Sequence, residues 1–197
     1  RAHNLQRRNN PAPISRESAL LLNNVFLTVA MLTVLMGTVY PLLVDGLGLG
    51  KLSVGAPYFN AVFIPLMIPL LLLMGLGVHL NWQQDSFKKT IMKLNWPILL
   101  SVFLPLLILL VLTEKIDGSV LLGLILACWV VLSTFKAILA RIKERGIQGI
   151  SQAYLGMVVA HCGVAASVIG IVVSSGYGIQ KDVKMAPGNS ATLASYQ

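Results

Sequence analysis

Five stretches of the chain are nearly unbroken runs of apolar residues, and short polar segments that carry most of the charge separate them. The runs cover Leu20–Val44, Asn60–Val78, Trp96–Leu112, Val120–Phe135 and Tyr154–Ser174. About 20 apolar residues in a helix cross the hydrocarbon core of a bilayer. None of the runs alternates apolar and polar residues at period two, as a membrane barrel strand would. Within lipid the backbone must satisfy its own hydrogen bonds, so each run is predicted to be a helix. The expected fold is therefore an all-α integral membrane protein with about five transmembrane helices. Residues 1–19 would precede the five-helix membrane domain (20–174), and 175–197 would begin a segment outside it.

Composition agrees with this pattern. Hydrophobic residues make up 56% of the 197 and charged residues only 11%, against about 25% charged in an ordinary soluble domain. A soluble domain of this size would expose far too much apolar surface to water. The net charge of +8 is spread between the apolar runs rather than gathered on a basic fold, which argues against nucleic-acid binding.

The distribution of those charges predicts an orientation. Alternate polar segments hold eleven basic residues on one side (Arg1, Arg7, Arg8, Arg16; Lys88, Lys89, Lys93; Lys136, Arg141, Lys143, Arg145) and four on the other (Lys51, Lys115, Lys181, Lys184). Lys and Arg favour the cytoplasmic side. The N-terminus is thus expected in the cytoplasm and the C-terminus on the periplasmic face, an arrangement that requires an odd number of spans. The first run is too long for the apolar core of a signal peptide. The chain opens on Arg1 and reads as a piece of something longer.

Several local features suggest structure rather than chemistry. Pro65 and Pro69 lie in the second run, and Pro97 and Pro105 in the third. They are read as kinks tolerated between neighbouring helices, because no inverted second half suggests the broken helices of a transporter. The glycines of Asp45-Gly-Leu-Gly-Leu-Gly-Lys51 follow a membrane run and lack the GK[ST] of a phosphate loop, so they predict a turn. Cys128 and Cys162 sit in apolar runs and form no CxxC pair; small buried apolar residues are expected there.

Candidate chemistry is scarce. No HExxH, GxSxG or paired intramembrane carboxylate occurs. The seven acids, Glu17, Asp45, Asp85, Glu114, Asp117, Glu144 and Asp182, lie at or beyond the run ends. A proton-driven transporter would keep at least one within the membrane. His3 is expected to be solvated, and His79 to sit at the cytoplasmic interface near Trp82.

His161 stands apart. It precedes the midpoint of the fifth run, Val164, by three residues, which places it about 4.5 Å from the centre of the span. An ionisable group at that depth is costly and marks a functional site. Its helical face carries Tyr154, Met157, Val164, Ala165 and Val168. A stripe of small residues, Gly156, Ala160, Gly163, Ser167, Gly170 and Ser174, falls on nearly the opposite face and is expected to pack closely on a neighbouring helix. Two readings of His161 stand side by side. It hydrogen-bonds a neighbouring carbonyl, or it ligates a metal, haem iron included, from the wall of an apolar hollow. A six-coordinate haem needs a second ligand. His79 is at a different depth if its helix is straight, so that ligand is expected outside these residues.

Taken together, Ser15-Arg-Glu-Ser-Ala-Leu-Leu-Leu-Asn-Asn24, Gly37-Thr-Val-Tyr-Pro41, Lys51-Leu-Ser-Val-Gly-Ala-Pro-Tyr-Phe-Asn60, Gly156-Met-Val-Val-Ala-His-Cys-Gly-Val164 and Lys181-Asp-Val183 resemble, in that order, the C-terminal half of the CcmF/NrfE haem lyase family. The resemblance implies a role in cytochrome c-type biogenesis in the bacterial inner membrane. There the family receives haem from the chaperone CcmE and works with CcmH and CcmI, which present apocytochrome c. Thioether bonds to the CxxCH cysteines form on the periplasmic side. The resemblance also implies a structural haem b in the membrane, with His161 as one axial ligand of its iron; it identifies no catalytic residue in this chain. The family's Trp-rich segment is absent, since Trp82, Trp96 and Trp129 are isolated. Its flanking histidines and the other haem b ligand belong to the other half, so this piece alone is not expected to catalyse ligation. Two further classes compete with this reading: a membrane transporter, and a structural subunit of an assembly complex.

Overall fold

A computed structural model describes residues 15–82, 86–178 and 184. Six α-helices follow in order: α1 (Arg16–Gly46), α2 (Ala56–Gly77), α3 (Phe87–Lys93), α4 (Asn95–Leu112), α5 (Gly118–Arg145) and α6 (Gln152–Tyr177), with a short 3-10 turn at Ile147–Gly149. All but α3 are long and apolar enough to cross a membrane, and no strand occurs among the described residues. The protein is an all-α, multi-pass integral membrane protein. The acids at 85 and 182 and His3 lie outside the described residues.

The helix ends follow from local chemistry. At the start of α1 the Ser18 N–H donates to Ser15 Oγ at 3.1 Å, and Glu17 lies in the first turn. Such a cap satisfies one of the orphan N–H groups of a helix start. The other end of α1 closes in a Schellman turn: Leu49 N–H bonds to Val44 O and Gly48 N–H to Asp45 O. Gly48 sits at φ 68°, a left-handed conformation that glycine adopts without cost. The glycine run after Asp45 is thus a helix stop, as its composition suggests. Asp117 caps α5 by accepting from Ser119 N at 2.7 Å and Val120 N at 3.2 Å. Hydrogen bonds from the Ser119 hydroxyl and these two amides hold its carboxyl below the usual range.

Hydroxyls along α1 turn back on their own helix: Thr28, Thr33 and Thr38 each donate to the carbonyl four residues earlier at 2.8–2.9 Å. In lipid that is the cheapest way to satisfy them.

Two features were not legible as elements. The basic segment Phe87–Lys93 forms a short helix that runs into α4 through a kink at Leu94. Leu94 is fully buried, and its N–H bonds to Thr90 O and Ile91 O. Helix α5 continues past Phe135 to Arg145, so Lys136, Arg141, Lys143 and Arg145 are helical rather than loop residues. The segment Ala137–Arg145 is rich in strong helix formers, which carries the helix beyond its apolar run. Lys136 uses its long stem to reach the Lys93 carbonyl and lies over the Trp96 ring at 5.3 Å.

Helix α5 is the centre of the bundle, packing against α4, α6 and α2, while α1 packs on α2. Its buried residues are Val120, Gly123, Leu126, Ala127, Trp129, Val130, Ser133, Thr134 and Ala137. Of these, Leu126, Ala127, Trp129 and Val130 form one apolar core with Leu71 of α2, Leu94 and Ala165 of α6. Without a hydrophobic force between helices in lipid, small residues set where backbones approach. Here those residues are Gly37 of α1 (against Tyr58 and Phe59), Gly75 of α2 (against Trp129), Gly123 of α5 (against Val172) and Gly176 of α6 (against Val120). Pro41, Pro65, Pro69 and Pro105 are all accommodated within helices.

Candidate functional site

His161 lies half-buried on α6. Its Nδ1 is 2.8 Å from the Met157 carbonyl oxygen, one turn earlier. A carbonyl can only accept, so Nδ1 carries the proton in this bond. In the neutral ring that leaves Nε2 deprotonated, with its lone pair directed away from the helix backbone. A backbone carbonyl that holds one imidazole nitrogen and orients the other is the usual second partner of a metal-ligating histidine. The two readings of the sequence are therefore compatible: the carbonyl bond uses one nitrogen and leaves the other.

The faces of α6 are reversed relative to the sequence expectation. Ala165 is 1% exposed, and Val164 and Val168 pack against the core, so the His161 side of the helix faces α5. The small stripe faces outward. Ala160, Ser167 and Ser174 are exposed, and a Cβ added at Gly156, Gly163 or Gly170 would meet nothing within 4 Å. The physical reason is that the close contact between α5 and α6 takes its glycine mainly from the other helix. Gly123 opens a slot in α5 that Val172 of α6 fills, and only at Gly176 does α6 provide the gap. A cavity of 410 Å³ lies between α1, α2 and α3, and His161 does not line it.

The antiparallel register of α5 and α6 locates His161 further. Gly123 meets Val172, and Arg141 lies 4.5 Å over the ring of Tyr154. Between these contacts, His161 stands level with residues 134 and 135 of α5. Thr134 is on the face of α5 that α6 covers, two turns beyond Ala127. Its Oγ1 is buried and has no hydrogen-bond partner among the described residues. The Val130 carbonyl it would ordinarily take accepts instead from Ser133 Oγ at 3.2 Å.

His79 is engaged differently. Just past the end of α2, its Nε2 donates to the Ser133 carbonyl at 2.9 Å. Burial pushes its pKa down; the hydrogen bond to Ser133 opposes this, and nearby Lys136 and Lys93 reinforce it. Ser133 adjoins Thr134, so the His79 ring meets α5 beside the residue that stands level with His161. His79 belongs to the face of α5 made by Trp129 and Ser133, where Trp129 Nε1 donates to Leu72 O at 3.3 Å. Its Nε2 is already used. No group of three or more His, Cys, Asp or Glu side chains gathers among the described residues. Cys128 is half-buried and Cys162 exposed, and neither forms a disulfide.

Two of the blocks that carry the family resemblance meet in space, and another begins a helix. Gly37 of one block underlies Tyr58 and Phe59 of another, and Ser15 of a third caps α1.

Comparison with known proteins agrees. No family model matches the chain. The chain is 39% identical over its whole length to the cytochrome c-type biogenesis protein CcmF of Escherichia coli, of which it covers 30%. It is 39% identical to CcmF of Pseudomonas aeruginosa over 92% of this chain and 28% of that protein. Identity to the cytochrome c-type biogenesis protein NrfE of Haemophilus influenzae is 32%, over 93% of this chain and 28% of that one. A solved structure of the cytochrome c haem lyase CcmF superposes with a TM-score of 0.65 at 29% identity, covering 84% of this chain and 26% of that one. The chain thus spans less than a third of the length of these relatives. It belongs to the CcmF/NrfE family of cytochrome c-type biogenesis proteins and corresponds to the C-terminal portion of its members.

Proposed function

We propose that this chain is the C-terminal membrane portion of a System I cytochrome c haem lyase, and that His161 supplies one axial ligand to a haem b held within the membrane. The observation that carries the reading is the His161 Nδ1 contact to Met157 O at 2.8 Å, which orients Nε2 as a ligand. The donor set fits one side of a haem iron: a neutral imidazole of defined tautomer, half-buried in an apolar helix. The unpartnered Thr134 hydroxyl at the same level of α5 fits a site that a further group completes. The second ligand comes from the remainder of the CcmF-like protein. When bound, the haem supplies a one-electron redox centre in the membrane. The chain's own part is to fix the imidazole and to hold it against α5 through Ala165, Val164 and Val168.

In this reading the complete protein joins haem vinyl groups to the CxxCH cysteines of apocytochrome c by thioether bonds. It does so at the periplasmic face of the bacterial inner membrane, with haem from CcmE and apocytochrome from CcmH and CcmI. The present chain alone is inactive. The start of α1, α3 and the end of α5, with their basic residues Arg16, Lys88, Lys89, Lys93, Lys143 and Arg145, face the cytoplasm.

The test is an optical spectrum of the full-length native protein purified in mild detergent. A Soret band is expected, and His161→Ala should abolish or shift it and stop cytochrome c maturation while the protein still inserts. Unchanged haem content with normal maturation in that variant would remove the assignment and leave a scaffold role.

A further inference from the structure

A groove in the described residues lies away from His161. The start of α1 (Ser15, Ser18, Ala19, Leu21, Leu22), the end of α2 (Leu73, Leu76), Leu80 and Phe87 line a cavity of 410 Å³. Its walls are mostly apolar. Leu21, Leu22 and Phe87 are themselves exposed at its surface, so it is open toward the bilayer rather than sealed.

The mouth has a different character. Arg16 follows Ser15 and lies 5.1 Å over the ring of Trp82, and Trp82 is 59% exposed. An exposed Trp stacked with a cation marks the level of the lipid headgroups. Lys88 and Lys89 follow the groove residue Phe87 and are exposed. Glu17, an acid beside these cations, has an interaction of its own. The backbone also fixes this corner: Arg16 N–H donates to Asn81 O at 2.9 Å, which ties the start of α1 to the chain between α2 and α3.

An apolar slot with Arg16 at the start of one wall and Lys88 and Lys89 next to the lining residue Phe87 matches a molecule with a hydrocarbon chain and an anionic head. We infer that the groove between α1, α2 and α3 binds an anionic phospholipid of the leaflet on the basic side of the protein. One acyl chain lies along Leu22, Leu73, Leu76 and Leu80, and the phosphate sits among Arg16, Lys88 and Lys89. Basic residues at a membrane surface attract anionic lipid individually and add together, and the slot supplies what a surface patch lacks, a fixed place for the chain. A bound lipid would brace the junction of α1 with the α2–α3 connection.

The experiment uses the full-length native protein, reconstituted in nanodiscs or purified in mild detergent, with phosphatidylglycerol and phosphatidylcholine as probes. Native mass spectrometry reads the lipid retained. Wild type should keep phosphatidylglycerol in preference to phosphatidylcholine. Neutralising Arg16→Gln, Lys88→Gln and Lys89→Gln should weaken that preference about fivefold per charge. Leu76→Trp, which fills the slot and keeps the charges, should release the lipid. Equal retention of the two lipids by wild type, or wild-type retention by a folded Leu76→Trp protein, would overturn the proposal. If Leu76→Trp does not fold, the charge series alone decides it. High-yield cross-linking of Leu22→Cys to another segment of the full chain would show a protein occupant and also overturn it.

Discussion

Gly37 of α1 lies directly against Tyr58 of α2: a Cβ built at Gly37 would stand 2.7 Å from Tyr58 Cε1 and 2.9 Å from the ring of Phe59. The two rings meet edge to face at 5.3 Å and 82°, and Tyr58 OH reaches back to Thr33 O at 3.2 Å. The close approach of α1 and α2 therefore depends on one missing side chain. Gly37→Ala should force the rings aside and cost about 1–3 kcal/mol. Gly46→Ala, on the same helix with nothing within 4 Å, is the control. Thermal unfolding in detergent should show a lower midpoint for the first and little change for the second.

A similar contact joins α2 to α5. Gly75 abuts the Trp129 indole, with Ser133 Oγ 2.9 Å from a built Cβ, and Trp129 Nε1 donates to Leu72 O at 3.3 Å. Trp129→Phe removes that hydrogen bond, worth about 0.6 kcal/mol within a membrane bundle, and some packing. Gly75→Ala should cost more, about 1–3 kcal/mol by overpacking. Because the two changes act on one contact, the double variant should lose less than the two losses combined. Strict additivity would show that the indole does not rest on Gly75.

His79 gives the bundle a pH dependence of definite sign. Burial lowers its pKa in the folded protein below the ordinary value of 6.5. Between the lowered value and 6.5 the unfolded chain binds the proton and the folded one does not, so stability rises with pH across that window. The contribution of the neutral ring is fully present above 6.5 and is lost as pH falls through the folded value. Unfolding midpoints measured from pH 7.5 down to pH 5 should fall, and His79→Gln, which can still donate to Ser133 O, should flatten the curve.

The sequence shows what lipid dictates and hides what neighbouring helices dictate. Runs of apolar residues had to be helices because nothing else satisfies a backbone in hydrocarbon, and the glycines after Asp45 had to stop α1. The Lys88–Lys93 segment did not read as a helix, because its ordering depends on burying Thr90 and on bringing Leu94 into the core. The depth of His161 in its span could be counted. Which way it faces could not, because a stripe of small residues can serve either as a contact within the chain or as a surface left for another segment. The deciding partner, Gly123, stands 38 residues earlier in the chain.

That choice can be tested directly. Gly123→Leu would drive a side chain into Val172 and should separate α6 from α5, with a loss of folded protein or a large drop in the unfolding midpoint. A Cβ at Gly163 meets nothing within 4 Å, so Gly163→Leu should leave the contact between α5 and α6 intact. Disulfide cross-linking between Val120→Cys and Gly176→Cys reads that contact. It should persist in the Gly163 variant and disappear in the Gly123 one; the opposite result would show that the small stripe is the packed face.

The final prediction concerns the imidazole itself. Nδ1 is bound to Met157 O, so a ligand role falls to Nε2 alone and does not require the ring to be attached to the chain. His161→Gly removes the ring and leaves a gap on the side of α6 that faces α5. In the full-length protein this variant should lose its Soret band, and millimolar imidazole in the buffer should restore it by entering the gap with a free nitrogen toward the iron. Met157 should matter through its backbone: Met157→Leu, which keeps the carbonyl and about the same volume, should leave the spectrum unchanged. Restoration by imidazole, together with a silent Met157→Leu, would separate ligation from a packing role, because a histidine that only packed would give no spectral signal to restore.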